Sequence, residues 1–275
     1  MLQKIKLIAS DIDGTLVENS TAVLHPEMFE LIKKLKEKGI LFCAASGRQY
    51  QSIANMFEPV KDDIVFLAEN GAHIRYQDKD IYLVEMEREH IEDIVHTIRK
   101  ENINGDYIVS TNDGSIMDTK NQEFIDLIRY GYRNKFRLVE DVLAEDVPII
   151  KIAAFQKGSI RELGESVLIP AFCDKVKATM AGEEWVDYME ASVDKGNAIR
   201  TIQEYFHVTK EETIAFGDNS NDIGLLMAAG KGFAVETALD EVKAVATDVC
   251  PSYDKKGVYQ TICKLVFGDD TNEEM

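Results

Sequence analysis

No apolar run in this 275-residue chain approaches the roughly 20 residues that a membrane-crossing helix needs. The first residues also lack a basic segment, a long apolar stretch and a cleavage site, so we read neither a signal peptide nor a membrane partner and expect a cytoplasmic protein. Cysteine is scarce: Cys43, Cys173, Cys250 and Cys263 lie far apart and form no Cys-x-x-Cys pair. That pattern argues against zinc ligation and disulfides, and it predicts reduced, buried thiols without a redox role. Positive charge is short as well, with 31 Lys and Arg against 49 Asp and Glu for a formal net charge of -18. Such a balance repels the phosphates of nucleic acid and of anionic membranes. Any phosphate ligand would therefore have to meet local positive elements: a metal, a lysine, or helix N-termini.

Hydrophobic residues make up 45% of the chain, enough for a full core and for two domains. Residues 1 to about 84 alternate short apolar runs with helical patterns, the signature of βαβ units and a parallel sheet. Strands are predicted over 5–9, 40–45 and 64–68, with a helix opened by Pro26 and closed by Gly39 and another over 51–57. From about 86 to 188 the alternation is less regular, as in helices laid on one face of an antiparallel sheet. After Lys195 the βα pattern returns, with helices over 196–206, 221–229 and 258–267 and strands over 213–216 and 232–235. The expected fold class is α/β: a Rossmann-like parallel sheet formed by 1–85 and 190–275, split by an inserted α+β cap domain over 86–189. The tail from Gly268 is expected to be disordered.

The chemistry-bearing residues follow the predicted strands. Asp11-Ile12-Asp13-Gly14-Thr15 leaves the first, Ser46-Gly47-Arg48 the second, Glu69-Asn70-Gly71 the third, and Gly217-Asp218-Asn219-Ser220-Asn221-Asp222 the strand over 213–216. Asp194-Lys195-Gly196-Asn197 sits where a helix begins. Open α/β sheets bind ligands outside the carboxyl ends of their strands, so these segments would meet at one mouth. Two carboxylates one residue apart at the end of a buried strand call for a cation or a hydrogen-bond network.

Each group has a role in phosphoryl transfer, which is mostly positioning and charge stabilisation. Asp11 is the candidate nucleophile, and Asp13 the candidate acid for the first step and base for the second. Ser46, the Gly47 amide and Lys195 suit phosphate oxygens, with Asn221 as a further donor. Asp218 suits the inner sphere of magnesium, whereas Asp222 suits a role orienting Lys195 or a metal-bound water. Arg48 and Asn70 are expected in support. The histidines His25, His73, His90, His96 and His207 show no metal-ligand spacing and are expected at the surface, while Trp185 and Tyr188 read as half-buried strand residues.

Asp-x-Asp-Gly-Thr, Ser-Gly-Arg, a lysine opening a helix, and Gly-Asp-x-x-Asn-Asp, in this order, resemble the haloacid dehalogenase superfamily and in particular its Cof-type phosphatases. The resemblance implies Asp11 as nucleophile and Asp13 as acid and base. It further implies magnesium held by Asp11, the Asp13 main-chain carbonyl and Asp218, and phosphate held by Ser46, Gly47, Lys195 and Asn221. The implied activity is a magnesium-dependent phosphatase acting on a small phosphorylated metabolite such as a sugar phosphate, with the cap closing over the leaving group. The alternatives are a phosphomutase and a catalytically idle phosphate-binding regulatory module. The expected partner is the small molecule alone, with the chain a monomer or weak homodimer.

Overall fold

The computed structural model describes residues 4–18, 23–102 and 104–268, so the predicted tail beyond 268 lies outside the described residues. Strands β1 (Leu7–Asp11), β2 (Leu41–Ala45) and β3 (Ile64–Ala68) are short apolar runs. They are buried on both faces, as strands of a helix-covered parallel sheet must be. Helix α1 (Pro26–Glu37) starts on its proline and buries Met28, Leu31, Ile32 and Leu35, which share one helical face. Helix α2 (Tyr50–Met56) connects β2 toward β3. Strands β4 (His73–Tyr76) and β5 (Lys79–Leu83) then extend the sheet, β4 running antiparallel to β3.

Residues Leu83–Val193 form a compact unit of their own. It comprises α3 (Arg88–Glu101), β6 (Asp106–Thr111), β7 (Gly114–Met117), α4 (Gln122–Asp126), β8 (Phe136–Leu138), β9 (Ile149–Phe155), α5 (Arg161–Leu163), β10 (Val176–Met180) and β11 (Trp185–Glu190). Its sheet runs in the order β10-β11-β9-β6-β7-β8. Two features correct the expectation of an antiparallel sheet with helices on one face. The β7–β8 pair is parallel, because the helical segment from 122 to 131 provides the crossover that a parallel return requires. Apolar clusters also lie on both faces: Ile152 and Ala154 of β9 pack with Ile91, Ile94 and Val95 of α3, whereas Ala153 and Phe155 pack with Phe124 and Ile125 of α4.

The chain then returns to the first unit through α6 (Lys195–Phe206), β12 (Thr213–Gly217), α7 (Ile223–Met227), β13 (Lys231–Val235), α8 (Asp240–Val245), β14 (Asp248–Cys250) and α9 (Gly257–Phe267). Its eight strands run β14-β13-β12-β1-β2-β3-β4-β5. The continuous helix predicted over 221–229 is instead a 3-10 turn, Ser220–Asp222, followed by the short α7. Asn219 and Asp222 cap this turn reciprocally, which holds the loop tight before the α-helix begins. Among the described residues no helix is long and apolar enough to cross a membrane.

Candidate active site

Strand register brings the motifs together. Asp11 at the end of β1 pairs with Ala45 of β2, and Ser10 pairs with Phe216 of β12, so the three strands finish level. The residues that follow, Ile12 to Thr15, Ser46 to Arg48 and Asp218 to Asp222, therefore leave the sheet at one edge. Lys195 joins them as the first residue of α6, whose N-cap Asp194 accepts a hydrogen bond from the Asn197 amide. Gly196 allows α6 to approach α7 closely: a Cβ there would lie 2.8 Å from the Gly224 backbone.

A lysine at a helix start usually faces water, but Lys195 is fully buried. Its ammonium donates to Asp11 Oδ1 and to Asp222 Oδ1, both at 2.6 Å. Burial alone would push the lysine toward its neutral form, yet the two carboxylates override it and hold the ammonium above its ordinary range. Asp11 is pushed well above the usual carboxylate range, chiefly by burial and then by Asp222, with Lys195 pulling the other way. One buried cation thus faces two buried carboxylates, leaving an unbalanced negative charge.

Asp218 lies beside this group, raised by burial and by Asp222 and eased by the Thr15 hydroxyl, which donates to Oδ1 at 3.0 Å. Gly14 packs against the same carboxylate. Its φ is +83°, and a Cβ there would fall 2.3 Å from Asp218 Oδ2. The Gly-Thr of the first motif is thereby explained: both residues shape the seat of Asp218, a role that spacing alone did not disclose.

Asp11, Asp218 and Asp222 each offer a carboxylate oxygen within 4.8 Å of the others. Both oxygens of Asp222 are committed, Oδ1 to Lys195 and Oδ2 to the amides of Asp218 and Asn219 at 3.0 and 3.1 Å. Asp222 is therefore an anchor for the lysine and for the loop. Asp11 Oδ2, by contrast, is buried and accepts no hydrogen bond from a described donor. An orphaned carboxylate oxygen next to Asp218 is the donor chemistry of a hard divalent cation, so the residues fit one.

The remaining predicted residues surround this centre. Arg48 grips Asp13 with two bonds, Nε to Oδ2 at 2.8 Å and Nη2 to Oδ1 at 2.5 Å. Ser46 is buried, and its hydroxyl accepts from the Arg48 amide at 3.1 Å. Asn221 donates to Asn70 Oδ1 at 2.9 Å, and the Asn70 amide group borders Gly47, where a Cβ would lie 3.2 Å from it.

Three expectations away from the centre need correction. His73 is 1% exposed rather than at the surface, because β4 turns it inward to bond Asp80 at 2.7 Å. Tyr188 is fully buried in the inserted unit against Phe172, its hydroxyl donating to the Leu168 carbonyl. Cys173 is exposed, whereas Cys43, Cys250 and Cys263 are buried thiols; burial pushes Cys43 and Cys250 up to about 12.

Comparison with known proteins matches residues 8–262 to a family described as haloacid dehalogenase-like hydrolase. An Escherichia coli (strain K12) protein named 5-amino-6-(5-phospho-D-ribitylamino)uracil phosphatase YbjI is 26% identical over 270 residues, spanning 95% of this chain and 96% of its own. The Bacillus subtilis (strain 168) protein YwtE, which carries the same activity name, is 27% identical over 291 residues, spanning 96% of this chain and 99% of its own. A crystal structure from Eubacterium rectale superposes with a TM-score of 0.88 at 33% identity, covering 95% of this chain and 99% of that one.

Proposed function

The chain belongs to the haloacid dehalogenase-like hydrolases and acts on phosphate monoesters, and on that premise we propose a magnesium-dependent phosphatase of a small phosphorylated metabolite that works through an aspartyl-phosphate on Asp11. The observation that carries this reading is the fully buried Lys195 between Asp11 and Asp222, beside an Asp11 oxygen that lacks a donor. A purely structural ion pair is expected to satisfy its buried oxygens, whereas this one leaves an Asp11 oxygen available to a cation or to phosphorus.

In this reading an Asp11 oxygen forms a bond to phosphorus as the ester P–O bond breaks, and Asp13 gives a proton to the departing oxygen. A water then displaces Asp11 from phosphorus and returns a proton to Asp13. Ser46, the Gly47 amide, Lys195 and Asn221 hold the phosphoryl oxygens, while Asp222 fixes Lys195. Asp11, the Asp13 main-chain carbonyl and Asp218 would hold magnesium, which when bound offsets the repulsion between substrate phosphate and these carboxylates.

The names of the Escherichia coli and Bacillus subtilis relatives suggest the substrate class: a primary phosphate on a polyhydroxylated chain attached to a heterocycle. The domain assignment, catalytic over 1–85 with 190–275 and substrate-selecting over 86–189, belongs to the same proposal. The test is phosphate release by the purified protein from a panel of sugar, sugar-alcohol, nucleotide and vitamin phosphates, with magnesium and after EDTA. Turnover that needs magnesium, and is fastest on polyhydroxylated phosphates, supports the reading. Undiminished turnover in excess EDTA overturns the metal, and no turnover on any phosphomonoester overturns the phosphatase.

A further inference from the structure

Both oxygens of Asp13 are held by one guanidinium, and the backbone around that guanidinium is pinned more firmly than a surface turn requires. The Arg48 amide donates to Ser46 Oγ at 3.1 Å, and the Arg48 carbonyl accepts from the Glu69 amide at 3.0 Å. One residue on, the Asn70 amide donates to the Ser46 carbonyl at 3.0 Å. Glu69 and Asn70 reach these carbonyls only by taking left-handed backbone, with φ of +50° and +56°. Such conformations cost about 1 kcal/mol or more for residues with a side chain and persist where surrounding contacts enforce them. The turn after β3 is thus built to fix the Ser46–Arg48 loop, and Arg48 is the charged side chain that this loop brings to the site.

We propose that Arg48 is a positioning residue that acts on substrate through Asp13 and makes no contact with the phosphate itself. This rests on the acid and base role given to Asp13 above. A two-bond fork sets both the place and the plane of a carboxylate, which a single donor cannot do. It also carries a mechanistic consequence. A carboxyl that bears the transferable proton on one oxygen cannot accept a guanidinium bond along the same direction, so one of the two bonds opens when Asp13 is the acid. The fork re-forms once the proton has gone to the leaving oxygen. Arg48 therefore keeps Asp13 aimed through both halves of the cycle by holding one oxygen while the other works. Lysine offers a point charge on a flexible stem and would hold position without plane.

The test is a double-variant cycle on the full chain, with Arg48→Met, Arg48→Lys, Asp13→Asn and Asp13→Asn/Arg48→Met, each checked for a wild-type melting curve. Two substrates are compared, an alkyl phosphate with a poor leaving group and p-nitrophenyl phosphate with a good one. Arg48→Met should lower kcat on the alkyl phosphate by about 10- to 100-fold and much less on p-nitrophenyl phosphate, the size and pattern of a lost proton transfer. KM should change by less than about twofold, and Arg48→Lys should recover part of kcat. In the Asp13→Asn background the same substitution should do almost nothing, because the two residues act as one unit. A loss that falls on KM, or that persists in full without Asp13, would show that Arg48 grips substrate directly and would overturn the proposal. An unaffected Arg48→Met beside a crippled Asp13→Asn overturns the Arg48 role alone. An Asp13→Asn enzyme with wild-type turnover overturns the acid and base reading together with it.

Discussion

Replacing Lys195 by methionine removes the buried cation and leaves its methylene stem in place, so that Asp11 and Asp222 face each other without a counter-charge. Both carboxylates are buried, and each lost bond is a charge-assisted contact of 2.6 Å. Breaking a buried ion pair by deleting one partner costs about 3 to 5 kcal/mol, against a total stability of roughly 5 to 15 kcal/mol. For a unit of this size that corresponds to a fall in melting temperature of about 6 to 20 °C. Removing the Asp222 charge as well should return part of the loss, because it ends the repulsion between Asp222 and Asp11 and leaves one buried carboxylate without a counter-charge instead of two. Lys195→Met/Asp222→Asn is therefore expected to melt above Lys195→Met, although neither variant regains turnover. Thermal melts of the two variants and the wild type, paired with phosphate-release rates, separate stability from catalysis. A Lys195→Met protein that melts within about 2 °C of wild type would refute the reasoning, as would a double variant less stable than the single one.

Gly14→Ala should drive a methyl group into the Asp218 carboxylate and force a left-handed alanine, so metal affinity measured by magnesium titration of activity is expected to weaken about tenfold or more; unchanged affinity would contradict the seat assigned to Asp218. Asp11→Asn should fold with a wild-type melting curve and lose turnover, since an amide is neither an ionised nucleophile nor an anionic ligand, and residual activity within about tenfold of wild type would remove it as nucleophile. Burial holds the His73 proton affinity below its ordinary value despite Asp80, so His73 contributes stability that is fully present above about pH 6.5 and is lost as pH falls below that toward the depressed folded value. His73→Gln should therefore lose less melting temperature between pH 7 and pH 5 than the wild type does, and a larger acid loss in the variant would contradict the sign.

Much of this site is legible in the sequence because its parts sit at strand ends, where apolar runs stop abruptly and polar residues begin. Asp11, Ser46, Lys195, Asp218 and Asp222 could be named from position alone. Apart from the pairing of Asp222 with Lys195, their partners could not. That Thr15 serves Asp218, that Arg48 forks Asp13, and that both Asp222 oxygens are spoken for are facts of distance between segments far apart in the chain. The β4–β5 hairpin escaped for a local reason. Its turn is made by Gln77 and Asp78 in left-handed conformations, without the glycine that normally marks such a turn. Within the inserted unit, the 3-residue β8 and the single wide helical turns at 127–131 and 164–168 are too short to leave a periodic trace. His73 looked like a surface residue because its partner Asp80 lies on the strand that this hairpin creates.

The most direct measurement is to locate the phosphoryl group during turnover. Enzyme mixed with a good substrate and magnesium, quenched in acid within milliseconds and digested, should yield one phosphorylated peptide, the one that contains Asp11, with the Asp11→Asn protein giving none. A phosphoryl group found on any other side chain, or turnover sustained by Asp11→Asn, would contradict the account.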